Sequence, residues 1–207
     1  VGSEMCIRDS YYLVPGVIVT IMTMIGALLT SLVMAREYER GTLESLFVTP
    51  VGSGEILTAK AATNFLLGMV SLAISMVFAA FVFDIPIRGS LLLLLAVSAL
   101  FLIVALGLGL VISTATKNQF LACQFAIMGT FMPALMLSGF LYDILNMPPA
   151  VRAVTYLIPA RYYVTLLQTL FLAGDIPSVI IPCCITLGVF AVVLMSIARL
   201  KAPKSLE

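Results

Sequence analysis

The sequence predicts an all-α polytopic membrane protein with five transmembrane helices. Three observations carry this. The 207 residues are 62% hydrophobic and 10% charged, with a mean hydropathy of +1.18. A soluble domain has about 45–50% apolar and about 25% charged residues. Five stretches lack Asp, Glu, Lys and Arg: Ser10–Ala35 (26 residues), Ala61–Phe83 (23), Gly89–Thr116 (28), Asn118–Tyr142 (25) and Ile176–Ala198 (23). Each exceeds the roughly 20 apolar residues that a spanning helix needs. These runs are continuously apolar rather than alternating, which argues against the strands of a β-barrel.

Spans are expected at about 13–35, 56–83, 90–114, 119–141 and 177–199. Turn chemistry or charge marks most of their ends. Pro15 and Gly16 sit near the start of the first span. Asp84, Pro86 and Arg88 separate the second from the third, and Lys117 and Asn118 make a very short turn before the fourth. Gly174, Asp175 and Pro177 precede the fifth, and Arg199, Lys201 and Lys204 follow it. Between the fourth and fifth spans, Tyr162–Gly174 is uncharged but only 13 residues long. It is too short to cross alone, so the region 143–173, with two short helices meeting at Pro159, predicts a re-entrant hairpin. Within that hairpin Tyr156, Tyr162 and Tyr163 fit an aromatic belt at the membrane surface.

Positive charge sets the orientation. Arg36, Arg40, Lys60, Lys117, Arg199, Lys201 and Lys204 fall on one side, against Arg88, Arg152 and Arg161 on the other. The positive-inside rule places the 36–55 loop and the C-terminus in the cytoplasm and the start of the first span outside. The opening decapeptide VGSEMCIRDS is polar and has no apolar core of the kind a signal peptide carries. It reads as a non-native scar, with the transmembrane domain taken as 11–204.

The most informative segment is the cytoplasmic loop. Arg36 to Arg40 continues the first span, and Gly41 can end that helix in the left-handed conformation. Thr42 is a suitable N-cap for a second helix, with Glu44 in its positive first turn. Leu43, Leu46 and Phe47 then share one apolar face, and Pro50 stops the helix. This predicts a short amphipathic helix at about 42–49, held between two spans. Such a helix can simply lie on lipid. Its polar surroundings are acidic as well as basic, however, with Glu37, Glu39, Glu44 and Glu55. Anionic lipid favours a basic face, so a mixed face suits a protein partner better.

The run REYERGTLESLFVTPVGSGEILTAK closely resembles the R-E-x-E-x-G-T-x-E-x-L-x-x-T-P-x-x-x-x-E-I-x-x-x-K block of bacterial ABC-2 type transporter permeases. GLGLVISTATKNQFLA at 107–122 and the segment 131–175 are similar to later parts of that family. The resemblance implies the membrane subunit of an ATP-driven exporter in the bacterial inner membrane, moving an apolar or amphipathic substrate such as a drug or lipid. Family permeases have six spans and an extracytoplasmic domain after the first. The five spans here would be the second to the sixth. The 42–49 helix would be the coupling helix, and Glu37, Arg40, Gly41, Thr42, Leu43, Glu44, Leu46 and Pro50 would form the contact with a separate ATPase subunit. A second permease subunit would complete the transport path, as a homo- or heterodimer. ATP and Mg would bind on the partner, so this chain is expected to be no enzyme and to hold no cofactor of its own.

Composition bears on the energy source independently. Ion-coupled carriers place ionisable groups inside the membrane, where each costs about 2.5–3.5 kcal/mol or more. None of the five stretches contains Asp, Glu, Lys or Arg, and the chain has no His. It also has no G-x-x-x-x-G-K-[ST] loop to bind ATP itself. Four cysteines without His or a C-x-x-C pair form no zinc set and read as small apolar residues. A net charge of +1 gives no field for nucleic acid. Energy must then be borrowed at the cytoplasmic loop. A passive channel or an ion-coupled carrier is the alternative. Asn64 and Gln124 are the polar span residues hardest to leave unpaired and, with Arg161 and Tyr162, are candidates for the translocation path. The Ser and Thr residues of the spans are expected to make helix–helix contacts.

Overall fold

Five helices are long and apolar enough to cross a membrane: Leu13–Arg40, Thr58–Phe81, Leu91–Thr116, Gln119–Leu137 and Pro177–Leu200. In this computed structural model the backbone is described for residues 2–40, 53–81, 89–116, 118–139 and 148–201, and side chains for 13–40, 58–81, 89–116, 118–139 and 148–200. No strand occurs among the described residues.

The first helix, α1, runs as Gly2–Thr23, a wider π turn at Met24–Leu29, and Thr30–Arg40. The helix already begins at Gly2, within the decapeptide read as a scar, and continues unbroken into the first span. Next come α2 (Ser53–Phe81) and α3 (Leu91–Thr116). The fourth, α4, is built from Gln119–Ala126, a π turn at Ile127–Phe131, and Met132–Leu137. Its last turn lies against Gly139, whose φ of 88° is the left-handed conformation that ends helices. The span therefore stops before the expected 141. Two shorter helices follow, α5 (Pro149–Thr155) and α6 (Pro159–Gln168, continued by a π turn at Thr169–Ala173). The chain closes with α7 (Pro177–Lys201).

Local sequence explains the ends. Asn118 is extended, and its Oδ1 accepts from the N–H groups of Phe120 (2.9 Å) and Leu121 (3.3 Å), capping α4. Pro149 and Pro159 occupy the first turns of α5 and α6, where a missing N–H costs nothing. Gly174 ends α6 with φ 86°, and its N–H returns to the Thr169 carbonyl at 2.9 Å. Inside α4, Pro133 follows the π turn directly. Proline breaks the regular ladder, and one wide turn absorbs the fault without ending the helix.

Lipid is as apolar as leucine, so close packing and hydrogen bonds rather than water exclusion must hold these helices together. The hub is α3, which packs on α1, α2, α4, α6 and α7. Small residues allow this. A Cβ at Gly109 of α3 would lie 2.6 Å from the Ala27 carbonyl oxygen of α1, and one at Gly26 of α1 would lie 2.5 Å from the Cβ of Ala105. The backbones of α1 and α3 meet at these two glycines. At the end of the bundle away from Arg40, Asp175 accepts from the Ser90 N–H at 3.1 Å, and the Gly89 N–H reaches the Leu170 carbonyl at 2.9 Å, tying the start of α3 to the α6–α7 link.

One expectation fails here. Tyr163 is not in a surface belt but fully buried in the core. Its ring stacks on Phe101 with centroids 4.1 Å apart, and its hydroxyl donates to Ser98 Oγ at 2.8 Å. The strongly amphipathic α6 turns Tyr163, Val164, Leu166 and Leu167 inward, and only a partner such as Ser98 makes that hydroxyl tolerable there. Outward faces of α2 and α7 remain apolar, with Leu66, Phe78, Phe81, Ile185 and Val192 all more than half exposed, as lipid-facing helices are.

Candidate functional site

The site residues expected from sequence fall into three places. At the Arg40 end of the bundle, α1 and α2 leave and re-enter around residues 41–52. Gly41, Thr42, Leu43, Glu44, Leu46 and Pro50, and with them the expected 42–49 helix, lie outside the described residues. Glu37 and Arg40 lie on the last turns of α1. Glu37 forms an ion pair with Lys60 of α2, both side chains being about a quarter exposed. Two residues further on, Glu39 Oε2 accepts from the Gln119 N–H at 3.1 Å. That is the positive first turn of α4, where a carboxylate is favoured. The acidic residues of α1 thus hold both flanking helices.

Asn64 lies one turn beyond Lys60, buried between α1 and α2. Its Nδ2 donates to Thr30 Oγ1 at 3.1 Å. Beside Thr30, Ser31 donates to the Ala122 carbonyl of α4 at 3.3 Å. Consecutive polar residues of α1 therefore reach opposite neighbours. Gln124 is elsewhere: it sits on the outward face of α4, among exposed Phe120, Phe125 and Met128. The structure does not bring Asn64 and Gln124 together.

Arg161 and Tyr162 belong to the α5–α6 pair, at the end of the bundle away from Arg40. The Arg161 guanidinium donates to Thr155 Oγ1 and lies 4.0 Å over the Tyr156 ring. Tyr162 donates to the Tyr156 carbonyl at 3.0 Å. Hydrogen bonding and positive charge from Arg161, with Arg152 adding, hold the exposed Tyr156 hydroxyl below its ordinary pKa. Thr155, Tyr156, Arg161 and Tyr162 thus tie α5 to α6 at their hinge, and Arg161 has its partners within that pair.

Sequence reasoning missed the Lys60 partner of Glu37, although Lys60 closes the same motif block in which Glu37 stands second. It also missed Glu39 on Gln119 and Ser98 beneath Tyr163. The polar span residues divide. Thr30, Ser31, Asn64 and Ser98 bridge helices. Thr20, Thr23, Ser75, Thr130 and Thr186 instead donate to the carbonyl four residues back in their own helix, which needs no neighbour. Among the described residues, no group of three or more His, Cys, Asp or Glu side chains could hold a metal.

The sequence profile of the family described as "ABC-2 type transporter" matches residues 3–172. The chain is 47% identical over 199 residues to the probable multidrug ABC transporter permease YbhS of Escherichia coli (strain K12), across 96% of this chain and 53% of that protein. To the probable multidrug ABC transporter permease YbhR of the same strain it is 30% identical over 182 residues, across 83% of this chain and 48% of that protein. ABC transporter G family member 20 of Dictyostelium discoideum is 25% identical over 163 residues. The chain spans about half the length of the curated relatives it matches first.

Proposed function

This chain belongs to the ABC-2 type transporter family, and from that premise we propose that it is the membrane-spanning part of an exporter permease driven by a separate ATPase subunit. The observation that carries the reading is the bracing on either side of residues 41–52. Glu37–Lys60 and Asn64–Thr30 join α1 to α2 immediately beyond that segment, and Glu39 joins α1 to α4. A push on the segment would reach three helices at once.

In this reading residues 42–49 dock on the ATPase, with Glu44 and Leu46 in the contact. ATP and Mg bind on that partner. Two permease subunits pair around the path, and the outward face of α4 with Gln124 is turned toward the second subunit. The Arg40 end and the C-terminus are cytoplasmic, as the positive-charge bias supports. The cargo is apolar or amphipathic, since the five long apolar stretches contain no Asp, Glu, Lys or Arg to meet a charged one. Two relatives bear the words "probable multidrug" in their names, in keeping with such a cargo.

The test is co-expression of the complete permease with the ATPase encoded beside it. The wild-type pair should co-purify in detergent. Glu44→Arg with Leu46→Arg should abolish co-purification while leaving the permease monodisperse. Undiminished capture of the ATPase by the double variant would refute the assignment of the segment.

A further inference from the structure

A pocket of about 240 Å³, open on one side, lies between α1, α3, α4 and the α5–α6 hinge. Its origin is visible in the helices around it. Thr23 sits where the π turn of α1 begins, and Gly129 and Thr130 lie within the π turn of α4. A π turn holds more residues than an α turn, so it displaces the side chains that follow. Such turns recur at functional positions. Here two of them, in neighbouring helices, border one space. The small residues Ala105, Gly129 and Ala134 then leave it unfilled. Gly129 stands at the open side, where a Cβ placed on it would meet nothing within 4 Å.

The chemistry of the lining is narrow. It contains no Asp, Glu, Lys or Arg. Thr23 and Thr130 each donate their hydroxyl hydrogen to a carbonyl of their own helix, Val19 and Ala126 respectively, so both present only lone pairs. Pro133, also in the lining, has no N–H to give. The polar groups are therefore acceptors without free donors. An anion has no partner there and would bear its full desolvation cost, and two neutral hydroxyl oxygens offset little of a cation's. The space exceeds the roughly 150 Å³ that suffices for benzene in an engineered apolar cavity. Its concave walls enclose a guest on several sides and would supply it with dispersion contacts. Val154 and Leu157 at its edge are 53% and 74% exposed, which leaves a way in.

We propose that this intra-chain cavity binds an uncharged, apolar molecule of one or two fused rings that donates at most one hydrogen bond, to Thr130 Oγ1. All of the lining residues belong to one chain.

The experiment uses the complete permease in nanodiscs, without nucleotide, and the fluorescent probe 2-naphthol, with empty nanodiscs as the partition baseline. Saturable binding at one site per chain is expected. Gly129→Phe, which projects a ring into unoccupied space, should weaken it by about tenfold or more, equivalent to about 1.4 kcal/mol. Gly188→Phe on α7, where a Cβ also meets nothing within 4 Å, should leave it unchanged. Thr130→Val keeps the shape and removes the acceptor, so 2-naphthol should weaken several-fold while naphthalene does not. The anion 2-naphthoate should not compete. Size exclusion and helicity confirm that each variant is folded. Absence of saturable binding to the wild type, binding undiminished by both Gly129→Phe and Thr130→Val, or equal competition by 2-naphthoate would each overturn the proposal. Because the assay contains no ATP, failure of the transport reading leaves its result intact.

Discussion

Lys60 of α2 reaches back to Glu37 of α1, so the two helices are pinned together on either side of residues 41–52. An exposed ion pair contributes about 0–1 kcal/mol, and partial burial raises the cost of breaking one. Here the geometry matters more than the energy, because the pair joins the ends of α1 and α2 that flank residues 41–52 into one lever.

The charge-swap test follows directly. Lys60→Glu places two carboxylates in contact and should lower the thermal midpoint of the permease and uncouple ATP hydrolysis from transport. The double variant Glu37→Lys with Lys60→Glu should recover most of both. A double variant no better than the single one in a scan of stability and of transported molecules per ATP contradicts the lever.

The buried bond from Asn64 to Thr30 should show an asymmetry. Thr30→Val leaves a buried amide without its acceptor and should cost about 1–2 kcal/mol. Asn64→Leu removes the buried amide itself and leaves only a lone pair on Thr30 Oγ1 without its donor, so the loss should be smaller. Unfolding in SDS titrations measures both. Equal losses would mean that the bond carries no weight of its own.

The α1–α3 crossing should be intolerant of one carbon. Gly109→Ala puts a Cβ 2.6 Å from a backbone oxygen, which cannot rotate away, and overpacking of this kind costs about 1–3 kcal/mol. Gly188→Ala on open α7 surface should be neutral or stabilising by up to about 1 kcal/mol through helix propensity. Thermal denaturation of the two variants side by side gives the contrast. Similar midpoints would show that the backbones can separate freely.

Much of the architecture is legible in the sequence because lipid imposes a strict rule. A span must be about 20 residues without charge, and five stretches meet it. The observed ends at Arg40, Phe81, Thr116 and Leu200 lie within a few residues of those read from charge and turn residues alone. The side-chain pairings were less legible. Composition identified Asn64 as a residue needing a partner but could not choose Thr30, since pairing depends on helix rotation, which an all-round apolar span does not encode. The same applies to Tyr163. Its neighbour Tyr162 is partly exposed at the hinge, whereas Tyr163, one position on, meets Ser98 across 65 residues of sequence. The π turns were equally hidden. Pro133 signals a fault in α4, but nothing local distinguishes a kink from a widened turn. The helix expected at 42–49 is the reverse case, since it rests on its motif alone and Gly41 to Pro50 lie outside the described residues.

The most direct measurement of the central claim is transport by the complete permease and its ATPase reconstituted in proteoliposomes, with a lipophilic dye as cargo. Movement that requires hydrolysable ATP, persists after proton and sodium gradients are collapsed, and stops with Glu44→Arg and Leu46→Arg is the predicted result. Movement that continues without ATP and follows an imposed ion gradient would contradict the account and place the chain among carriers or channels.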